Sequence, residues 1–142
     1  MKSEILQPVV ILFIWTMVMW FWLYATRLPA LAKAGPEGLE AVKAGTKTLD
    51  QVLPPQTQWK AHNYNHLHEA PTVFYAVALT LALLGAGDDL NAQIAWVYVG
   101  LRVIHSLVQA TVNHDMGRFL SFSLSTFALM TLIVRAAMVA FA

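Results

Sequence analysis

Residues Lys60 to Phe74 read KAHNYNHLHEAPTVF, setting three histidines, two asparagines and a glutamate at the entrance to a long apolar segment. An ionisable side chain near the middle of a bilayer-spanning helix costs roughly 2.5–3.5 kcal/mol on insertion scales, so these groups call for partners or a ligand. Which of the two they have decides how the chain folds and what it does.

The chain around this stretch has 142 residues, a single-domain length, yet 58% of it is hydrophobic and only 12% charged. That composition lies outside soluble globular usage and points to an integral membrane protein. The formal charge of +1, with no clustered excess of Lys and Arg, argues against a nucleic-acid partner. There is no cysteine, which excludes disulfides, thiolate metal sites and a cysteine nucleophile.

Working outward, Ile5 to Thr26 is almost wholly apolar and aromatic. At 1.5 Å per residue it is long enough to cross about 30 Å of hydrocarbon. A signal peptide is the rival reading, with Met1-Lys2 as its charged start and Ala32-Lys33-Ala34 as a cleavage site, but the apolar run is longer than such a segment uses. The expected spans are residues 5–27, 59–85, 91–112 and 118–141, with Pro71 kinking the second just after Glu69. Residues 28–58, punctuated by Gly35, Pro36, Gly38, Gly45, Pro54 and Pro55, read as a loop with one short helical candidate at Leu39–Ala44. Arg27, Lys33, Lys43, Lys47 and Lys60 in and around it place the loop in the cytoplasm by the positive-inside rule, with both termini on the other side.

Three polar stripes emerge from helical spacing. In span three Tyr98, Arg102, His105 and Gln109 recur at four, three and four residues and must face the protein interior. In span two His62, His66 and Glu69 form a second stripe, with Asn65 and Glu69 an adjacent pair one turn apart. In span four Arg118, Ser121 and Ser125 form a third. All are weighted toward the ends near the first loop and the Asn113 link, so they can meet in one cytoplasmic-side pocket of a helical bundle. Each group also has a plainer reading. Glu69 and Arg102 can be a buried ion pair joining two helices. His105 can be a helix-to-helix hydrogen bonder and Arg118 a headgroup anchor. His68 and His114 read as interfacial, Arg135 as a snorkelling or inter-subunit residue, and the aromatic side chains of span one as packing or lipid contacts.

A polar element entering span two (His66-Leu67-His68-Glu69, then Ala70-Pro71), Arg102-Val103-Ile104-His105 in span three and Arg118 opening span four together resemble the MAPEG family, membrane-associated proteins in eicosanoid and glutathione metabolism. The resemblance covers the chain from about Trp59 onward and suggests a bacterial-type member in the inner membrane. It implies a four-helix left-handed bundle assembling as a homotrimer, with glutathione bound between subunits on the cytoplasmic side. Arg118 matches the arginine that stabilises the glutathione thiolate, since a nearby cation lowers a thiol pKa. Glu69 matches the glutamate that holds the peptide's amino end, and Arg102 and His105 the pair lining the site. The chain departs from the family pattern at four places. His66 stands where the family has asparagine, with Asn65 next door, and only Lys60 and His62 represent the basic residues one and two turns earlier. Gln109 and Phe122 stand where eicosanoid enzymes place tyrosines.

Three functions compete. The leading one is a glutathione-dependent transferase or peroxidase acting on lipophilic electrophiles, with Arg118 catalytic and Lys60, His62, Asn65, His66, Glu69, Arg102, His105 and Gln109 around the tripeptide. A second is a family-fold protein that binds lipid or serves as a scaffold without chemistry. A third is a metal-dependent oxidase, because His62, His66, His68 and Glu69 lie within about two helical turns.

Overall fold

The computed structural model describes residues 2–142, and these form helices with no strand among them. In chain order the helices are α1 (Leu6–Lys43), α2 (Leu49–Val52), α3 (Pro55–Glu69), α4 (Thr72–Leu83), α5 (Leu90–Thr111) and α6 (Asp115–Ala140). By length and composition α1, α5 and α6 are each long and apolar enough to cross a membrane. The second expected span is broken in two, a polar α3 that ends at Glu69 and an apolar α4 that begins at Thr72, with Pro71 between them. Pro71 has no N–H for the i−4 carbonyl, and its ring disfavours the preceding turn, so the break falls where the sequence puts a kink. The Thr72 hydroxyl donates to the His68 carbonyl across the break (2.7 Å).

Residues 28–58 differ from their reading as a loop. Helix α1 runs on through Arg27, Leu28 and Pro29 and reaches Lys43, interrupted only at Gly35, and α2 follows after a short turn. Gly35 sits at φ 72°, ψ 178°, a conformation that side-chain-bearing residues rarely adopt. Pro36 then restarts the helix, because its fixed φ and missing N–H suit a first helical position. Glycine and proline mark a bend between two helical pieces here, and the polar composition that suggested a loop belongs to helix beyond the apolar span.

Helix α5 is the centre of the packing. Its broadest contact is with α6, and it also packs on α3 and α1, while α4 packs on α6 and α1. Phe74 of α4 stacks on Tyr98 of α5, with ring centroids 4.2 Å apart and planes 19° apart, and both side chains are fully buried. At one end, the chain before α1 is clasped to the turn before α5. Ile5 N–H donates to the Gly87 carbonyl (2.8 Å) and Glu4 N–H to the Asp88 carboxylate (2.7 Å). A Cβ at Gly87 would overlap Ser3 Oγ and press on Ile5, so only glycine admits this approach. Near that end Arg135 Nε donates to Asn91 Oδ1, so Arg135 ties α6 to the start of α5 within the chain, where the sequence suggested a snorkelling or inter-subunit role. The segment containing α2 and the Asn113 link lie at the opposite end.

A polar knot joins three helices in the middle. Ser106 Oγ on α5 accepts both Trp15 Nε1 from α1 (2.9 Å) and Asn63 Nδ2 from α3 (2.6 Å). Such inter-helix hydrogen bonds in membranes are worth about 0.6 kcal/mol on average and up to about 1.7 kcal/mol. Ser106→Ala strands both donors at once, so the protein should lose about 1–2 kcal/mol. Equilibrium unfolding in mixed detergent micelles reads that loss, and an unchanged midpoint would show the knot to be dispensable.

Candidate functional site

The short Asn113 link builds one wall of a cleft. Asn113 takes a left-handed conformation (φ 49°), which asparagine tolerates, and its N–H returns to the Val108 carbonyl, closing α5. His114 Nδ1 then accepts the Gly117 N–H and caps α6. With the chain turned this way, Arg118 lies in the first turn of α6 and its Nη1 donates to Asn113 Oδ1 (3.0 Å). Asp115 stands 3.7 Å from the same nitrogen but is almost fully exposed, so the pair adds little. Arg118 Nε is buried without a hydrogen-bond partner.

Arg118 shares a cleft of about 260 Å³ with His66 of α3, His105 and Gln109 of α5, and Asp115, Phe119 and Phe122 of α6. Behind it lies Arg102, 3% exposed, between the rings of Tyr98 and Phe122 at 5.5 and 5.0 Å. Its Nη1 meets His66 Nε2 at 3.1 Å. A guanidinium has only donors, so the His66 nitrogen must accept, and the neutral ring carries its proton on Nδ1. His105 Nδ1 meets the Arg118 carbonyl at 3.1 Å and Ser121 Oγ at 3.2 Å. A carbonyl only accepts, so here Nδ1 donates. The two imidazole rings are 5.0 Å apart. Arg102 Nε and Gln109 Oε1 are also buried without partners.

The α5 stripe is buried as its spacing requires, with Tyr98, Arg102, His105 and Gln109 all turned inward, and so are Ser121 and Ser125 of α6. The α3 stripe divides. His66 reaches the cleft, whereas His62, Asn65 and Glu69 are exposed. The inward face of α3 is centred on Asn63 and Leu67, both buried. At 100° per residue Asn63 lies about 40° from Leu67, His66 about 100° away, and His62, Asn65 and Glu69 about 140–160° away. The expected Glu69–Arg102 ion pair is therefore absent, and Arg102 has His66 as its partner instead. Asn63, absent from the polar stripe expected on this helix, is the asparagine that faces inward, bonded to Ser106. Its spacing of three before His66 and four before Leu67 marks the interior face, but the charged neighbours drew attention to the other one.

Lys60 also lies away from the cleft. Its Nζ donates to the Gln56 and Ala110 carbonyls (2.9 and 3.1 Å) over the Trp22 ring, tying α3 to the end of α5. His62 Nε2 faces Asp50 of α2 (3.0 Å), and His68 Nδ1 its own helix at the Tyr64 carbonyl. His62, His66 and His68 thus have three different surroundings, and no group of three or more His, Asp or Glu side chains converges among the described residues.

Cleft and fold together define an integral membrane protein with apolar helices that holds a buried arginine, Arg102, and a half-buried one, Arg118, at one end of its helix packing. The sequence profile of the MAPEG family matches residues 5–138, so the chain belongs to the MAPEG family. Neither the search of curated proteins nor that of solved structures returns a match.

The Asp50 contact yields a pH expectation. Hydrogen bonds from Gln58 and then His62 hold the Asp50 carboxyl below its ordinary value of 3.8. A carboxyl whose folded pKa is depressed stabilises the fold fully above its unfolded pKa and loses that effect as pH falls through the folded value. Amide protection in residues 49–58, measured relative to the intrinsic exchange rate at each pH, should therefore hold down to about pH 4 and fall only in more acid solution, so that the exchange-rate ratio rises there. A rise already between pH 7 and 5 would break the assignment.

Proposed function

We propose that the protein is a glutathione-dependent transferase or peroxidase of the membrane, acting on lipophilic electrophiles through a thiolate stabilised by Arg118. The observation that carries this reading is the two-sided character of the cleft. One wall is cationic and polar, with Arg118, His66, His105 and Gln109, and the other is Phe119 and Phe122, apolar rings exposed on the outer face of α6. Such a cleft suits an anionic thiol from water and a lipophilic partner from the bilayer.

The residues present suit the tripeptide. Arg118 lines the cleft with a guanidinium that favours an anion, Gln109 adds a polar side chain, and Asp115 offers a carboxylate to an ammonium. Glutathione supplies the nucleophilic sulfur. Arg118, held by Asn113, favours negative charge at that sulfur, and the start of α6 adds the positive end of its dipole. With Phe122 in place of a tyrosine no phenol shares this work, so it rests on Arg118.

The same reading takes the chain as four crossings, with α3 and α4 together forming the second, in a left-handed bundle that assembles as a homotrimer. The exposure of Asn65 and Glu69 on α3 supports assembly, because in a four-crossing bundle polar groups on an outward face need a neighbouring surface. Glu69 would then serve a site shared between subunits. Lysine-bearing segments around α2 face the cytoplasm of a bacterial inner membrane in this arrangement. A second reading, a lipid-binding or scaffold protein without chemistry, is favoured by one observation: Glu69 and Asn65 do not reach the cleft of their own chain.

Conjugation of a model electrophile by detergent-purified protein tests the proposal. Arg118→Ala should lower kcat/KM by about 10²–10³-fold while the oligomer mass stays unchanged. Wild-type turnover in that variant removes Arg118 from the role. Millimolar glutathione should also raise the melting temperature, since ligand binding to the folded state stabilises it, and no rise would favour the lipid-binding reading.

A further inference from the structure

We infer that His105 is the base of this cleft: its Nε2 accepts the proton of the bound thiol, while Arg102 withholds the neighbouring His66 from that task. The inference rests on the glutathione reading and adds a residue role to it. Two imidazoles line the cleft, and either is a conceivable proton acceptor. Their hydrogen bonds distinguish them. Arg102 Nη1 occupies the only lone pair that neutral His66 can offer, at Nε2. His105 spends its Nδ1 proton on the Arg118 carbonyl and Ser121 Oγ, which leaves Nε2 with a free lone pair and no partner among the described residues.

The ring is also fixed where it is needed. Its Nδ1 anchor is the first turn of α6, the same turn that carries Arg118, so base and cation are held as one unit. The charged groups around the ring are Arg102 of α5 and Arg118 and Asp115 of α6, with His66 of α3 neutral. In the step itself the S–H bond breaks, a new N–H bond forms at His105 Nε2, and the electron pair stays on sulfur beside Arg118. The imidazolium then returns the proton to the leaving group of the electrophile, or to the carbon next to the one attacked in an addition.

NMR of protein labelled with 15N-histidine tests this without turnover. In the absence of glutathione His105 and His66 should both be neutral with the proton on Nδ1, His105 being assigned from its loss in His105→Asn. A proton on Nε2 of His105 would overturn the inference. Adding glutathione at neutral pH should convert His105 alone to the doubly protonated form as thiolate absorbance appears. Thiolate appearing with no histidine changing state overturns it equally. Stopped-flow mixing should show thiolate formation in His105→Asn slowed by about 10²-fold or more, and in His105→Ala partly restored by added imidazole. A wild-type rate in His105→Asn overturns it. If wild-type protein gives neither thiolate nor thermal stabilisation, the glutathione reading itself fails and this inference with it.

Discussion

The contact between Arg102 and His66 is the constraint around which the polar interior is arranged. A guanidinium cannot shed its charge, so a buried arginine must be surrounded by acceptors, aromatic faces or an anion. Arg102 has both of the first two kinds within the chain: one acceptor, the His66 lone pair, and two aromatic faces, the rings of Tyr98 and Phe122. Its third requirement, negative charge, is met by no carboxylate among the described residues, whose two ion pairs are His62–Asp50 and Arg118–Asp115. An interior that is cationic and only partly satisfied is poised for an anion, and the cleft beside it opens that interior to solvent.

The same constraint explains what was legible in the sequence. Tyr98, Arg102, His105 and Gln109 could be placed inward because no apolar surroundings tolerate four such groups on one helical face, and they are buried. The α3 stripe was harder, since at that helix the polar residues occur all round. His62, His66 and Glu69 do share a face by spacing, but Leu67 and Asn63 set which face turns inward, and a hydrophobic residue beside a small polar one gives a weaker signal than a glutamate. Residues 28–58 misled for a different reason. Gly35 and Pro36 are helix breakers by residue type, and Gly35 does break the helix, but a break followed by proline at a helix start leaves a helix on either side. The link at Asn113 was recognised as short, while its use as the support for Arg118 depends on one positive φ that the sequence does not announce.

Family membership and local chemistry bear on different parts of the molecule. The profile match runs over nearly the whole chain, from residue 5 to 138, and it fixes the class of the protein. In the cleft, Gln109 and Phe122 stand where the resemblance implies tyrosines, and His66 where it implies asparagine. Phe122 replaces a hydroxyl with an apolar face that touches both Arg102 and the cleft. At this position the cleft presents an apolar face and no hydrogen-bond donor.

The break at Pro71 has a consequence for how the chain enters a membrane. Helix α3 is rich in Gln, Asn and His, whereas α4 is almost wholly apolar. In the four-crossing topology α4 partitions readily on its own and α3 does not, so the second crossing is complete only when α5 arrives to shelter His66 and Asn63. Were the chain to cross four times, α3 would stay at the aqueous surface during synthesis until residues 90–111 had emerged. On that topology the second crossing would depend on the meeting of α3 with α5, while the cleft is complete only with α6, which supplies Asp115, Arg118, Phe119 and Phe122.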